Sequence, residues 1–119
     1  MTDHNAELLA KITQIKQEYL QNLKDEWLID LEAFRAIPLS GWDKTALEKL
    51  LFHAHSASGS GATFGYALLS DHARKLEEFA RDLAKQSDRA SAQEHSAIIG
   101  LIDRLCVTCR EALKDLKPS

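Results

Sequence analysis

The sequence predicts an all-α fold, an antiparallel up-down four-helix bundle that opens with a long N-terminal helix. Apolar residues recur at helical spacing in four separate segments. Strand-like alternation of β-branched residues is missing. Only two prolines and five glycines interrupt the 119 residues, and three of those glycines fall between Gly59 and Gly65.

The first segment runs from about Asn5 to Ala36, with Ile12, Ile15, Tyr19, Leu23, Trp27, Leu31 and Phe34 at helical spacing. Pro38 closes it, because the residue before a proline is pushed out of the helical region. A helix of this length can bend or break, and Lys24–Glu26 is one place for it, although the sequence does not fix the position. It is longer than a bundle requires, so part of it is available to cover one end or to meet a partner.

Ser40-Gly41-Trp42-Asp43 reads as a capping segment, with Ser40 or Asp43 as the cap. The second helix follows from about Lys44 to Gly61, with Leu47, Leu50, Leu51, Ala54, Ala57 and Gly61 as its buried stripe. Thr63-Phe64-Gly65 is a short turn. The third helix covers about Tyr66 to Gln86 and buries Leu69, Ala73, Leu76, Ala80 and Leu83. Ser87–Ala90 is a polar loop. Ser91-Ala92-Gln93-Glu94 has the form of a capping box and opens the fourth helix, which runs to about Leu116 with Ile98, Ile102, Leu105, Cys109, Ala112 and Leu116 inward. The short connections between the last three helices imply sequential antiparallel packing.

An apolar fraction of 45% supports a core, and 28% charged residues suit a soluble surface. The net charge of -3 does not favour nucleic acid or an acidic membrane. No apolar run is long enough to span a bilayer, and the first residues lack the pattern of a secretory signal. These features favour the cytoplasm. Cys106 and Cys109 form a lone C-x-x-C. Zinc requires more ligands than one such pair, and the βαβ context of a redox motif is absent, so both read as reduced helix cysteines, with Cys109 at a packing position.

The chemistry-bearing residues lie on the second helix. Each residue turns a helix by about 100°, so with Ala54 at the centre of the buried stripe, His55 falls at one edge and His53 at the other. The two rings are roughly 200° apart around the helix and cannot clip one metal, because helical metal pairs use spacings of three or four. Gly59 lies one turn beyond His55. Glycine inside a helix costs about 0.8–1.0 kcal/mol relative to alanine, and at this place it leaves bare backbone beside the ring. Leu51 and the exposed Phe52 add apolar surface near it, and exposed apolar groups around a bare polar one point to docking.

At these residues the chain resembles the histidine-containing phosphotransfer (HPt) domain family, whose helix carries H-x-x-K-G-S followed by small residues and a Phe/Leu-Gly turn. His55, Gly59, Ser60, Ala62, Phe64 and Gly65 fall on that pattern, and Leu69 to Glu77 is similar to the family's next helix, L-x-x-x-A-x-x-L-E. The resemblance implies that residues 1–119 form a single, free-standing HPt-like bundle domain. His55 would accept a phosphoryl group from a receiver-domain aspartate and pass it to another response regulator. Receivers and a hybrid sensor kinase would be its partners, with magnesium on the receiver and no cofactor of its own. No nucleotide loop is present, so the implied protein is a carrier without autonomous kinase activity. Leu51, Phe52, Gly59, Ala62 and Leu68 are the candidate contacts with a partner. Ser60 is as well suited to a structural part, Phe64 to a turn plug and Gly65 to the turn backbone.

One departure is Ser58, which stands where the family has lysine. Lys75, Arg74 or His72 on the third helix could replace that cation near the phosphoryl group, alongside Ser58 itself. Two other readings remain: a helical scaffold that has lost the chemistry, and a metal or redox bundle using Cys106 and Cys109.

Overall fold

A computed structural model describes residues 3–38, 41–86 and 90–118, and all regular structure among them is helical. The first helical stretch has three parts: α1 (Asp3–Asn22), a π-helical turn (Leu23–Trp27) and α2 (Leu28–Arg35). Three further helices follow, α3 (Lys44–Thr63), α4 (Ala67–Ala84) and α5 (Ala92–Ala112), and a 3₁₀ turn, Leu113–Asp115, ends the last. α4 packs between α3 and α5, and α2 lies against α5.

The π-turn falls where the long helix was expected to bend. The Leu28 N–H donates to the carbonyl of Leu23, an i to i+5 bond, and such a turn takes in one extra residue. The residues that must face the bundle, Leu23, Trp27 and Leu31, are spaced four apart. That spacing slowly overruns a 3.6-residue period, and the wider turn brings Leu31 back inward, where it is 1% exposed.

The core joins Leu20, Leu23 and Leu31 to Leu50, Leu69, Leu76, Ile98, Ile102 and Leu105. Trp42, which the sequence had placed only in a capping segment, is buried as well. The connection that carries it is pinned by His95, whose Nε2 lies 3.0 Å from the Ile37 carbonyl; an oxygen acceptor requires a proton on that nitrogen. Ion pairs Arg35–Asp103 at 2.7 Å and Arg110–Glu32 at 2.8 Å fasten α2 to α5.

Both helix starts read from sequence have clear caps. Asp43 accepts the Ala46 N–H at 2.9 Å, while the alternative cap, Ser40, lies outside the described residues. Ser91 and Glu94 form the reciprocal capping box. Ser87, Asp88 and Arg89 of the expected loop are also outside the described residues. One expectation about the core needs correction. Leu116 falls beyond α5 and is only partly buried. Ile12 and Ile15 are 52% and 53% exposed, because α1 runs past the end of the bundle, giving a body 62 × 25 × 20 Å.

Candidate functional site

The site forms where α3 and α4 meet as a helical hairpin. α3 stops because Gly65 adopts φ +84°. The Tyr66 N–H then donates to Gly61 O at 2.8 Å and the Gly65 N–H to Ala62 O at 3.2 Å, the paired bonds of a Schellman ending that glycine allows at low cost. Phe64 stacks on Tyr19 of α1, with ring centroids 4.5 Å apart, so it plugs the turn. Just before the turn, Gly61 lets α4 come close. A Cβ there would stand 2.8 Å from Leu69 Cδ2 and 3.2 Å from the Ser70 backbone nitrogen. Ser70 Oγ donates to the Ser58 carbonyl at 2.7 Å and helps fix the register of the two helices.

That register sets Glu77 level with His55. The His55 ring is 73% exposed, whereas the Glu77 side chain is only 9% exposed, and Nδ1 lies 2.8 Å from Glu77 Oε2. A carboxylate can only accept, so Nδ1 carries the proton and donates it. The same Oε2 accepts from an Arg81 guanidinium nitrogen at 2.6 Å. Arg81, Glu77 and His55 thus form one chain of charge-assisted bonds, which are the stronger kind. With Nδ1 committed, Nε2 is the nitrogen that keeps a lone pair.

Glu77 and Arg81 were missed as site residues in the sequence reading, although Glu77 closes the quoted L-x-x-x-A-x-x-L-E pattern. The three cations proposed instead are distributed around α4. By helical rotation Lys75 lies about 160° from Glu77, and His72 about 140° from it in the other sense, so neither shares the His55 edge. Arg74 is about 60° from Glu77, on that edge, and pairs with Asp71 at 2.8 Å. Ser58 is partly buried, and its carbonyl is taken by Ser70.

The proposed contact residues also divide. Phe52 is 73% exposed, and Gly59 and Ala62 are exposed beside His55. A Cβ at Gly59 would meet nothing within 4 Å, so nothing among the described residues requires a glycine there. Leu51 instead turns partly inward against the core. Leu68 is 68% exposed but lies about 180° from Glu77, beside Thr108, Glu111 and Ala112 of α5 across a cavity of about 320 Å³. Geometry therefore takes Leu68 away from the His55 surface, while Leu51, one turn before His55 and about 40° from it around α3, offers only its half-buried edge there.

His53 has a different environment. It stacks on Trp27 at 4.0 Å between ring centroids and is 13% exposed. Burial pushes its pKa down, against a smaller upward pull from Asp30. Cys106 and Cys109 are buried free thiols. Burial raises both, Cys109 to about 12, which suits packing rather than reactivity. Among the described residues, no three or more His, Cys, Asp or Glu side chains gather as metal ligands. No helix there is long and apolar enough to cross a membrane.

A family model described as Hpt domain matches residues 7–117. No curated protein and no solved structure matches the chain.

Proposed function

Because the chain belongs to the Hpt domain family, whose members serve phosphotransfer in two-component phosphorelays, we propose that His55 is its phosphoacceptor and that Nε2 is the reacting atom. The observation that carries this reading is the tie of Nδ1 to buried Glu77 beneath an otherwise exposed ring.

The step balances as follows. The Nε2 lone pair attacks the phosphorus of a receiver's aspartyl phosphate in line. The bond from phosphorus to the aspartate oxygen breaks, and its electron pair returns to the carboxylate. The imidazole becomes cationic and keeps its proton on Nδ1. Glu77 faces that proton and offsets the charge, much as a buried carboxylate steadies a histidine in other nucleophilic sites. In the onward step a second receiver's aspartate attacks phosphorus, and the electron pair of the P–N bond returns to Nε2. A cationic ring leaves more readily than a neutral one, so Glu77 supports both directions. Arg81 holds the carboxylate in place through the same oxygen.

The receiver brings the magnesium ion and most of the stabilisation of the transferring group. This chain brings position and access. Phe52, Gly59 and Ala62 border His55 and form the docking surface, Gly59 by letting a receiver loop approach along bare backbone. On this reading the protein is a carrier with no kinase activity of its own, and its partners are receiver domains and a hybrid kinase. The alternative, a scaffold without chemistry, rests on Ser58 in place of lysine. Mixing the protein with a phosphorylated receiver separates the two. Transfer of acid-labile phosphate to this chain supports the carrier, and binding without transfer supports the scaffold.

A further inference from the structure

A phosphoryl group on Nε2 of His55 would bring about two negative charges at pH 7 to an edge that already holds Glu77. The imidazole and Arg81 answer the Glu77 carboxylate from within the hairpin. The phosphoryl oxygens would stand on the far side of the ring, away from both. α3 supplies no cation there. Lys44 lies on the His55 edge but about three turns away, and Lys49 lies about 120° round the helix from His55.

α4 does supply one. Two contacts fix the register of the hairpin: Gly61 comes against the Ser70 backbone, and His55 meets Glu77. Midway between them Arg74 is level with Ser58, about 4.5 Å along α3 from His55. The buried stripe of α4 centres on Ala73, with Glu77 about 40° and Arg74 about 100° from that line in the same sense. Glu77 thus reaches Nδ1 from inside the hairpin, and Arg74 rises outside it, where the exposed part of the ring stands. The ground between is open. Ser58 is short, and its carbonyl is held by Ser70. A Cβ at Gly59 would meet nothing within 4 Å. The Arg74 guanidinium pairs with Asp71 at 2.8 Å, and these side chains are 60% and 50% exposed. An exposed pair of this kind is weak, whereas a phosphoryl group offers the guanidinium a stronger partner with two oxygens.

We propose that Arg74 is a phosphoryl-binding residue: when His55 carries phosphate on Nε2, the guanidinium leaves Asp71 and takes two phosphoryl oxygens. The inference rests on the reading of His55 as the phosphoacceptor. Arg81 does not fill this part, because its guanidinium is bonded to Glu77 at 2.6 Å, and releasing it would loosen the carboxylate that holds Nδ1. Asp71 keeps the cation at the right level until the phosphoryl group arrives.

Phosphoramidate, a small phosphoryl donor, allows the test without a receiver. The measurement is a phosphorus NMR titration of the phosphorylated wild-type protein and its variants. A guanidinium against the phosphoryl oxygens favours their doubly charged form. Arg74→Ala should therefore lower the second acid dissociation constant of the phosphoryl group about 3- to 10-fold and raise the titration midpoint. The side chain is 60% exposed, so the urea midpoint should stay near wild type. Arg74→Lys should keep most of the effect, and adding Ser58→Lys to Arg74→Ala should restore it from the same level of α3. A titration midpoint that Arg74→Ala leaves in place, with His55 phosphorylated, overturns this inference alone. So does a shift that neither lysine reverses, which would give Arg74 a purely structural part. Phosphorylation that never appears on His55 overturns both the inference and the phosphoacceptor reading.

Discussion

His53 and His55 sit two residues apart on one helix and meet opposite environments. His53 lies in an aromatic wall, stacked on Trp27 with 13% of its side chain exposed. Asp30 stands at 3.7 Å from its Nε2, beyond hydrogen-bond reach. His55 stands in the open at 73% exposure and is held from below by a buried carboxylate. The same side chain serves as a packing ring in one place and as an oriented nucleophile in the other. What separates them is about 200° of helical rotation and the presence of Glu77 across the hairpin.

The largest effect that tests this contrast is on transfer itself. His55→Gln should abolish phosphoryl acceptance from a phosphorylated receiver, while His53→Gln keeps most of it. Acid-labile label persisting on the His55 variant would reverse the assignment. Next comes the carboxylate. Glu77→Ala should slow transfer by about 10- to 100-fold, the worth of a hydrogen bond to a charged group. Glu77→Gln, which retains an acceptor oxygen but no charge, should fall between it and wild type. Equal rates for all three in a rapid-mixing assay would remove Glu77 from the mechanism.

The glycines extend the comparison to α3 as a whole. Gly61→Ala should destabilise the fold by about 1–3 kcal/mol, because its Cβ would press on the Ser70 backbone. Gly59→Ala has open space and should stabilise by up to about 1 kcal/mol through helix propensity. A bulkier Gly59→Lys should fold normally and lose receiver binding. Urea midpoints and a binding titration read these effects. Equal stability changes at the two glycines would show that the hairpin is not closely packed at Gly61.

The smallest effect is a pH dependence. Burial depresses the pKa of His53 below its ordinary 6.5. The unfolded chain therefore takes up a proton there at higher pH than the folded one. The stability due to the neutral ring is complete above pH 6.5 and is lost as pH falls through the depressed value. His53→Gln should flatten that acid-side decline in denaturation midpoints. A slope identical to wild type would mean that His53 is not protected from protonation.

Much of this fold is legible in the sequence because its signals are local. Helical spacing, Pro38, the Asp43 cap and the Ser91–Glu94 box each act within a few residues. The singling out of His55 over His53 came from signals equally local, the glycine one turn beyond His55 and the family pattern that starts at it, while rotation around the helix only set the two rings on opposite edges. The α4 partner was harder to see, because it depends on how two helices are set against each other. The signal existed: a hairpin closing at Gly65 brings residues about equally far from the turn level with one another, and Glu77 adjoins the buried stripe of α4. Lys75 is also near that level but lies about 160° from Glu77 around α4, so of the three cations offered only Arg74 combines level with rotation. Leu68 failed for the same reason. The exposure of Ile12 and Ile15 was not legible, since spacing reports an apolar face and says nothing of how far the bundle extends to cover it.

The most direct test of the central claim, that Glu77 holds the Nδ1 proton of His55 and frees Nε2 to react, is nitrogen NMR of the ring before and after phosphorylation by a receiver. The account predicts a proton on Nδ1 of His55 beforehand and one-bond coupling of phosphorus to Nε2 of that residue afterwards. A phosphorus coupling to Nδ1, or to the ring of His53, would contradict it.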